Sequence, residues 1–137
     1  WDDEFVVIWK QEDSLGGFET EILAEVFGTS DNESTSLADV ISLATGFGKT
    51  VSKPTVSTSS DFDSGFIVAW EESNITADSK DVAFRTVYGD LNVSSMQIVN
   101  DVAGQQGDPY VAFLSQENFV IAFESNDNNN NNVGTVG

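Results

Sequence analysis

A short apolar run recurs three times along this chain, as Phe5-Val6-Val7-Ile8-Trp9, Phe66-Ile67-Val68-Ala69-Trp70 and Phe119-Val120-Ile121-Ala122-Phe123, each flanked by polar residues. Recurrence at such a spacing is the signature of stacked or radially arranged supersecondary modules, in which each unit buries its apolar face against the next. Few other features restrict a fold so strongly, because every unit must adopt nearly the same shape.

The similarity extends beyond the first run. The segment from Glu21 to Gly28 precedes that from Val82 to Gly89 by the same offset that separates Phe5 from Phe66. Val40-Ile41-Ser42-Leu43 matches Met96-Gln97-Ile98-Val99, and Lys53-Pro54-Thr55-Val56 matches Asp108-Pro109-Tyr110-Val111. There the offset shortens slightly, as expected if only the connecting loops change length.

Each unit reads as four short runs rich in Val, Ile, Phe, Tyr and Trp, separated by clusters of Gly, Asp, Asn and Ser at the spacing of all-β folds. The expectation is an all-β chain of about nine short antiparallel strands, two four-stranded repeats plus one extra strand, blade-like or sandwich-like. Units fall at about 1–52 and 53–107 with a partial one at 108–125, and 126–137 forms an Asn-rich linker or strand-donating tail. The first run of each unit is apolar at every position, which predicts a strand covered on both faces. Phe5, Val7, Trp9, Phe66, Val68, Trp70, Phe119, Ile121 and Phe123 are therefore the expected core motif. Residues 37–43 suit a short helix as well as a strand, and their match to 96–99 tips them to strand.

Composition removes whole classes of mechanism. Against 23 acidic residues stand 5 basic ones, a formal charge of -18, which makes nucleic acid and anionic lipid poor partners because phosphate binding depends on Lys and Arg. Cysteine and histidine are absent, so there is no thiol nucleophile, disulfide, imidazole base or Cys/His zinc site. A carboxylate-only hydrolase is the remaining enzymatic option, and the expectation is no enzyme. The sequence has no apolar run long enough to insert in a membrane as a helix.

The chain opens just before a first run, without the Pro-x-Val segment that precedes the later ones, and its third first-run leads into the tract Asn128 to Asn132. Both ends thus read as interrupted repeats, which suggests a tandem array or ends that complement one another between copies. The partners expected are copies of the chain itself. Val133-Gly134-Thr135-Val136-Gly137 is short enough to add one strand to a neighbouring sheet.

Three N-x-Ser/Thr triplets occur, at Asn32, Asn74 and Asn92, where composition alone would give about one. Asn32 and Asn92 follow the matched glycines Gly28 and Gly89, in the same connection of successive units. N-linked glycans at these positions imply a secretory route and an extracellular or cell-surface location. Asp61 and Asp63, ahead of Gly65, are the Ca²⁺ candidates because hard oxygen ligands cluster there; without a full calcium motif, solvated surface carboxylates are the favoured reading. No other cofactor is expected.

The combination of Pro54 and Val56, Gly65 to Trp70, Val87 to Gly89, Pro109, Val111 and Phe119 to Phe123 resembles the propeller-blade-like tandem repeats of very large bacterial and protist surface proteins. The chain departs from that pattern after Trp70, where Glu71-Glu72-Ser73-Asn74 replaces the Asp-Gly-Ser-Gly loop many such repeats carry. The resemblance implies an adhesin, stalk or fibre component with no catalytic residues to carry over. The resulting expectation is a structural subunit of a glycosylated extracellular filament, stalk or surface coat. The alternative is a carbohydrate- or calcium-dependent binding module of a large adhesin, with Phe18, Phe47 and Phe62 as candidate contacts.

Overall fold

The computed structural model of the chain describes residues 3–12, 19–30, 33–46, 48–59, 65–74, 79–99, 104–115, 118–126 and 132–136. The fold is all-β and antiparallel. The first sheet contains β1 (Asp3–Glu12), β2 (Thr20–Ser30), β3 (Glu33–Ser36) and β4 (Ile41–Thr45), with β3 and β4 lying end to end along the same edge of β2. The middle sheet is a meander of β5 (Lys49–Thr58), β6 (Phe66–Asn74), β7 (Lys80–Val87) and β8 (Gln97–Ile98). The third sheet places β10 (Asn118–Asn126) between β9 (Gln105–Ser115) and β11 (Asn132–Val136).

The sheets stack face to face through two apolar layers. Ile22, Ala24, Val26 and Leu43 of the first sheet meet Val51, Phe66, Val68, Trp70, Ala83 and Val87 of the middle one. Ile67, Ala69, Val82, Phe84 and Val99 on its opposite face meet Ile121 and Phe123 of the third. Strand pleating accounts for this division, since successive side chains point to opposite faces. Every residue from Phe66 to Trp70 is completely buried, and each fully buried Val, Ile or Phe side chain contributes about 1.5–3 kcal/mol.

Equivalences inferred from the sequence recur in the hydrogen-bond register. Ser42 lies opposite Leu23 as Ile98 lies opposite Ala83, and Thr55 pairs with Ala69 as Tyr110 pairs with Ala122. Both Pro-containing strands carry the same bulge, between Ser52 and Thr55 in β5 and between Gly107 and Tyr110 in β9. The residue before each proline, Lys53 or Asp108, has positive φ, 49° and 48° respectively. Such a bulge re-aims the side chain it carries.

Three expectations change. Phe5, Val7 and Trp9 do not form a strand covered on both faces: β1 pairs only with β2 among the described residues, and Phe5 and Val7 are 39% and 42% exposed. Val6 and Ile8 supply the covered side, and the third run is likewise covered on one side, with Ile121 and Phe123 buried but Val120 and Ala122 only part-buried. The second strands match one position earlier than their text suggests, because Phe5 pairs with Phe27 whereas Phe66 pairs with Val87 rather than Tyr88. Gly28 lies inside β2, while Gly89 follows the end of β7, so the matched glycines occupy different places. A slip of a single position exchanges the two faces of a strand, and burial confirms the new match: Val82 takes the place of Ile22 and Phe84 that of Ala24. Finally, eleven strands are described rather than about nine, because residues 33–36 add a short strand beside β2 and residues 132–136 fold back onto β10.

Gly65 holds the turn into β6. Its φ is +89°, and a Cβ there would lie 2.0 Å from the Val87 carbonyl oxygen. Only glycine permits both the left-handed backbone and this approach to β7.

Candidate functional site

Two features carry potential function: a polar seam between the middle and third sheets, and two apolar faces at the ends of the stack. The seam is built on Glu71, which follows Trp70 directly and is 2% exposed. Its Oε1 accepts a hydrogen bond from the Asp108 backbone N–H at 2.8 Å, with Lys53 Nζ at 2.9 Å and Lys80 Nζ at 3.9 Å from its carboxylate. Lys53 also reaches Asp108 Oδ1 at 2.6 Å, so the two bulge residues grip one another across the sheets. Glu72, also buried, pairs with Lys49. Three of the chain's 5 basic residues are thus matched to two adjacent glutamates, Lys53 and Lys80 to Glu71 on the third-sheet face and Lys49 to Glu72 on the opposite face of the middle sheet.

Burial pushes the Glu71 carboxyl up, but the Asp108 N–H, Lys53 and Lys80 outweigh it and hold the group below the usual carboxylate range. The Lys53 ammonium is raised by its hydrogen bonds to Asp108 and Glu71. Gly107 makes the approach possible, because a Cβ at that position would lie 2.6 Å from Glu71 Oε1. Above the seam opens a cleft of about 640 Å³, lined by Lys53, Glu71, Lys80, residues 105–108 and residues 124–126. No aromatic ring lines it among the described residues, so a sugar finds no stacking platform there, and the lysines are already matched to carboxylates.

The end faces are of a different character. On the first sheet Phe5 stacks on Phe27 at 5.3 Å between ring centroids, and the pairs Val7–Glu25 and Trp9–Leu23 continue the same face. On the third sheet Tyr110 and Leu114 are 72% and 70% exposed, and Ala112, Val120 and Ala122 lie beside them by register. Scattered apolar residues need no explanation, but contiguous apolar patches mark contact surfaces.

Of the expected site residues, Phe66, Val68, Trp70, Ile121 and Phe123 are buried and Phe119 packs against the second layer. Asn74 ends β6 and is exposed. Asn92 is exposed in the turn after β7, where its Nδ2 donates to Asp90 at 2.6 Å and its backbone carbonyl accepts from the Tyr88 N–H. Both asparagines lie at or beyond strand ends, clear of the stacked faces. Asn32, Asp61, Asp63, Phe18, Phe47 and Phe62 lie outside the described residues. Among the described residues no group of three or more acidic side chains is arranged to hold a metal ion. Sequence reasoning missed the Glu71 seam, although the reversal of charge between matched Lys53-Pro54 and Asp108-Pro109 was a readable sign of it. Comparisons with protein-family models, curated proteins and solved structures give no match for this chain.

Proposed function

We propose that the chain is a structural subunit of an extracellular filament, stalk or surface coat, decorated with N-glycans and built end to end from contacts between β-units. The observation that carries this reading is the repetition of one packing rule: the face bearing Phe66, Val68 and Trp70 rests on the sheet before it, and the face bearing Phe119, Ile121 and Phe123 does the same. A rule used twice within a chain extends to further units without new contacts.

Asn74 and Asn92, exposed at or beyond strand ends, give glycans a place where they shield strand edges and leave the stacking faces free. The test is intact-mass measurement of the native protein before and after removal of N-glycans, joined with electron microscopy of the native material. The reading predicts a mass loss at Asn74 or Asn92 and elongated assemblies. Unmodified mass together with isolated globular particles overturns it.

A further inference from the structure

We infer that the two open end faces are complementary halves of one interface, so that the Phe5/Val7/Trp9 face of one molecule docks on the Tyr110/Leu114 face of a second copy. The inference rests on the end-to-end reading above and adds the partner, the surfaces and the polarity of the contact.

The argument runs from equivalent positions. Phe5, Val7 and Trp9 correspond to Phe66, Val68 and Trp70, which are completely buried because the first sheet covers them. Val120 and Ala122 correspond to Ile67 and Ala69, completely buried because the third sheet covers those. Each internal contact therefore joins a Phe-x-Val-x-Trp type face to the opposite face of the preceding sheet. Among the described residues, the first sheet leaves the former kind open and the third sheet leaves the latter kind open. One copy's third sheet thus offers what another copy's first sheet lacks, and the reverse pairing of like faces does not occur among the described residues.

Residue character supports the same conclusion. Tyr110, Ala112 and Leu114 take the places of Thr55, Ser57 and Ser59 in the middle sheet. At those positions the covered sheet is polar, with the Ser57 hydroxyl accepting from the Phe113 N–H at 3.1 Å. The uncovered sheet is apolar there and keeps two large side chains in water, the opposite of what a permanently solvated face selects. The contact is heterologous, joining two different surfaces, so it propagates rather than stopping at a dimer unless rotation closes a ring.

The test uses two exposed-site variants of the full chain, Val7→Lys and Leu114→Lys, followed by sedimentation velocity over a wide concentration range in 0.5 M salt, about the strength needed to screen the charge between copies. The wild type is expected to form species that grow with concentration. Each variant alone should self-associate about a hundredfold more weakly, since burying a lysine in the contact costs its hydration, a cost only partly offset at position 7 by Glu25 across the strands. Mixed together, the two variants should give a 1:1 dimer that grows no further, because each retains the face the other has lost. Phe5→Lys and Tyr110→Lys provide a second pair if either first variant loses its circular dichroism spectrum. Dimers formed by one variant alone would show like-to-like docking and overturn this inference while leaving end-to-end assembly standing. A wild type that remains monomeric at every concentration overturns both.

Discussion

Replacing Glu71 by Gln removes a charge from the seam while preserving the shape and the acceptor oxygen facing the Asp108 N–H. Two ammonium groups lie close to the carboxylate, at 2.9 and 3.9 Å. At such distances each attraction is about 1 kcal/mol in water and a few kcal/mol at a protein surface. Both lysine side chains are about half exposed, 51% and 45%, so the lower end applies and they remain solvated after the anion is gone. Part of the gain is offset by the cost of burying a carboxylate. The net expectation for Glu71→Gln is a loss of about 1–2 kcal/mol. Glu71→Leu should lose about 3 kcal/mol, because the Asp108 N–H is then left without its acceptor. The assay is urea unfolding, read as a shift in midpoint at unchanged slope.

The pH dependence separates charge from shape. A carboxyl held below its ordinary value of 4.5 contributes stability that is fully present above that pH and disappears as pH falls through its lower folded value. The wild-type and Glu71→Gln stabilities should therefore converge as the solution is acidified below 4.5, where the protonated acid and the amide are near-isosteres. Equal stability at neutral pH, or a difference that persists unchanged in acid, would refute the electrostatic account of the seam.

Other outcomes follow from the same geometry. Phe66→Ala, at a completely buried position, should cost about 3–5 kcal/mol, whereas Phe5→Ala at the equivalent but 39% exposed position should cost about 1 kcal/mol, mostly its stacking on Phe27; equal losses by urea unfolding would mean that β1 is covered. Gly65→Ala places a Cβ 2.0 Å from the Val87 oxygen and should abolish cooperative folding by circular dichroism, while Gly48→Ala, with φ +71° and open space around it, should cost only about 1 kcal/mol. Copies that each carry -18 repel, so self-association measured by light scattering should strengthen from low to moderate salt. Glu25→Gln, across from Val7 on the open face, should strengthen it at constant salt.

Much of this architecture is readable from residue patterns because strand burial has a simple period. The run Phe66 to Trp70 announces a strand covered on both faces, and the Pro-x-Val segments announce matched strands, since apolar alternation and turn chemistry are local. Phe5 to Trp9 carries the same pattern in a different environment: whether a face is covered depends on the sheet beyond it, which no local pattern encodes. The equivalence of Phe27 with Val87 rather than Tyr88 was hidden for a related reason. Val-Phe-Gly and Val-Tyr-Gly look alike as text, yet only hydrogen-bond register decides which side chains share a face. Glu71 escaped notice because a buried ionised carboxylate is improbable until its partners are at hand, and these lie far apart in the chain. Lys53 comes from the preceding strand and Asp108 from beyond the whole middle sheet, and only the stacking brings them together.

The two internal seams also indicate how a contact between copies must differ from them. The face that the middle sheet turns to the first carries an apolar layer and the Glu72–Lys49 pair, with Thr20 Oγ1 accepting from the Val51 N–H at 2.7 Å. The seam between the middle and third adds the Lys53–Glu71–Asp108 latch, and that latch needs a bulged Pro-containing strand on both sides. β1 is the counterpart of β6, and no counterpart of β5 precedes it among the described residues. A neighbour docking on the first sheet therefore meets apolar surface without the latch. It also forfeits the covalent linkage that holds the internal sheets at high effective concentration, and must offset the lost rotational and translational freedom of a separate molecule. Copy-to-copy contacts of the kind proposed above should accordingly be weaker than those within a chain, and dilution should separate chains before it disturbs the three-sheet stack.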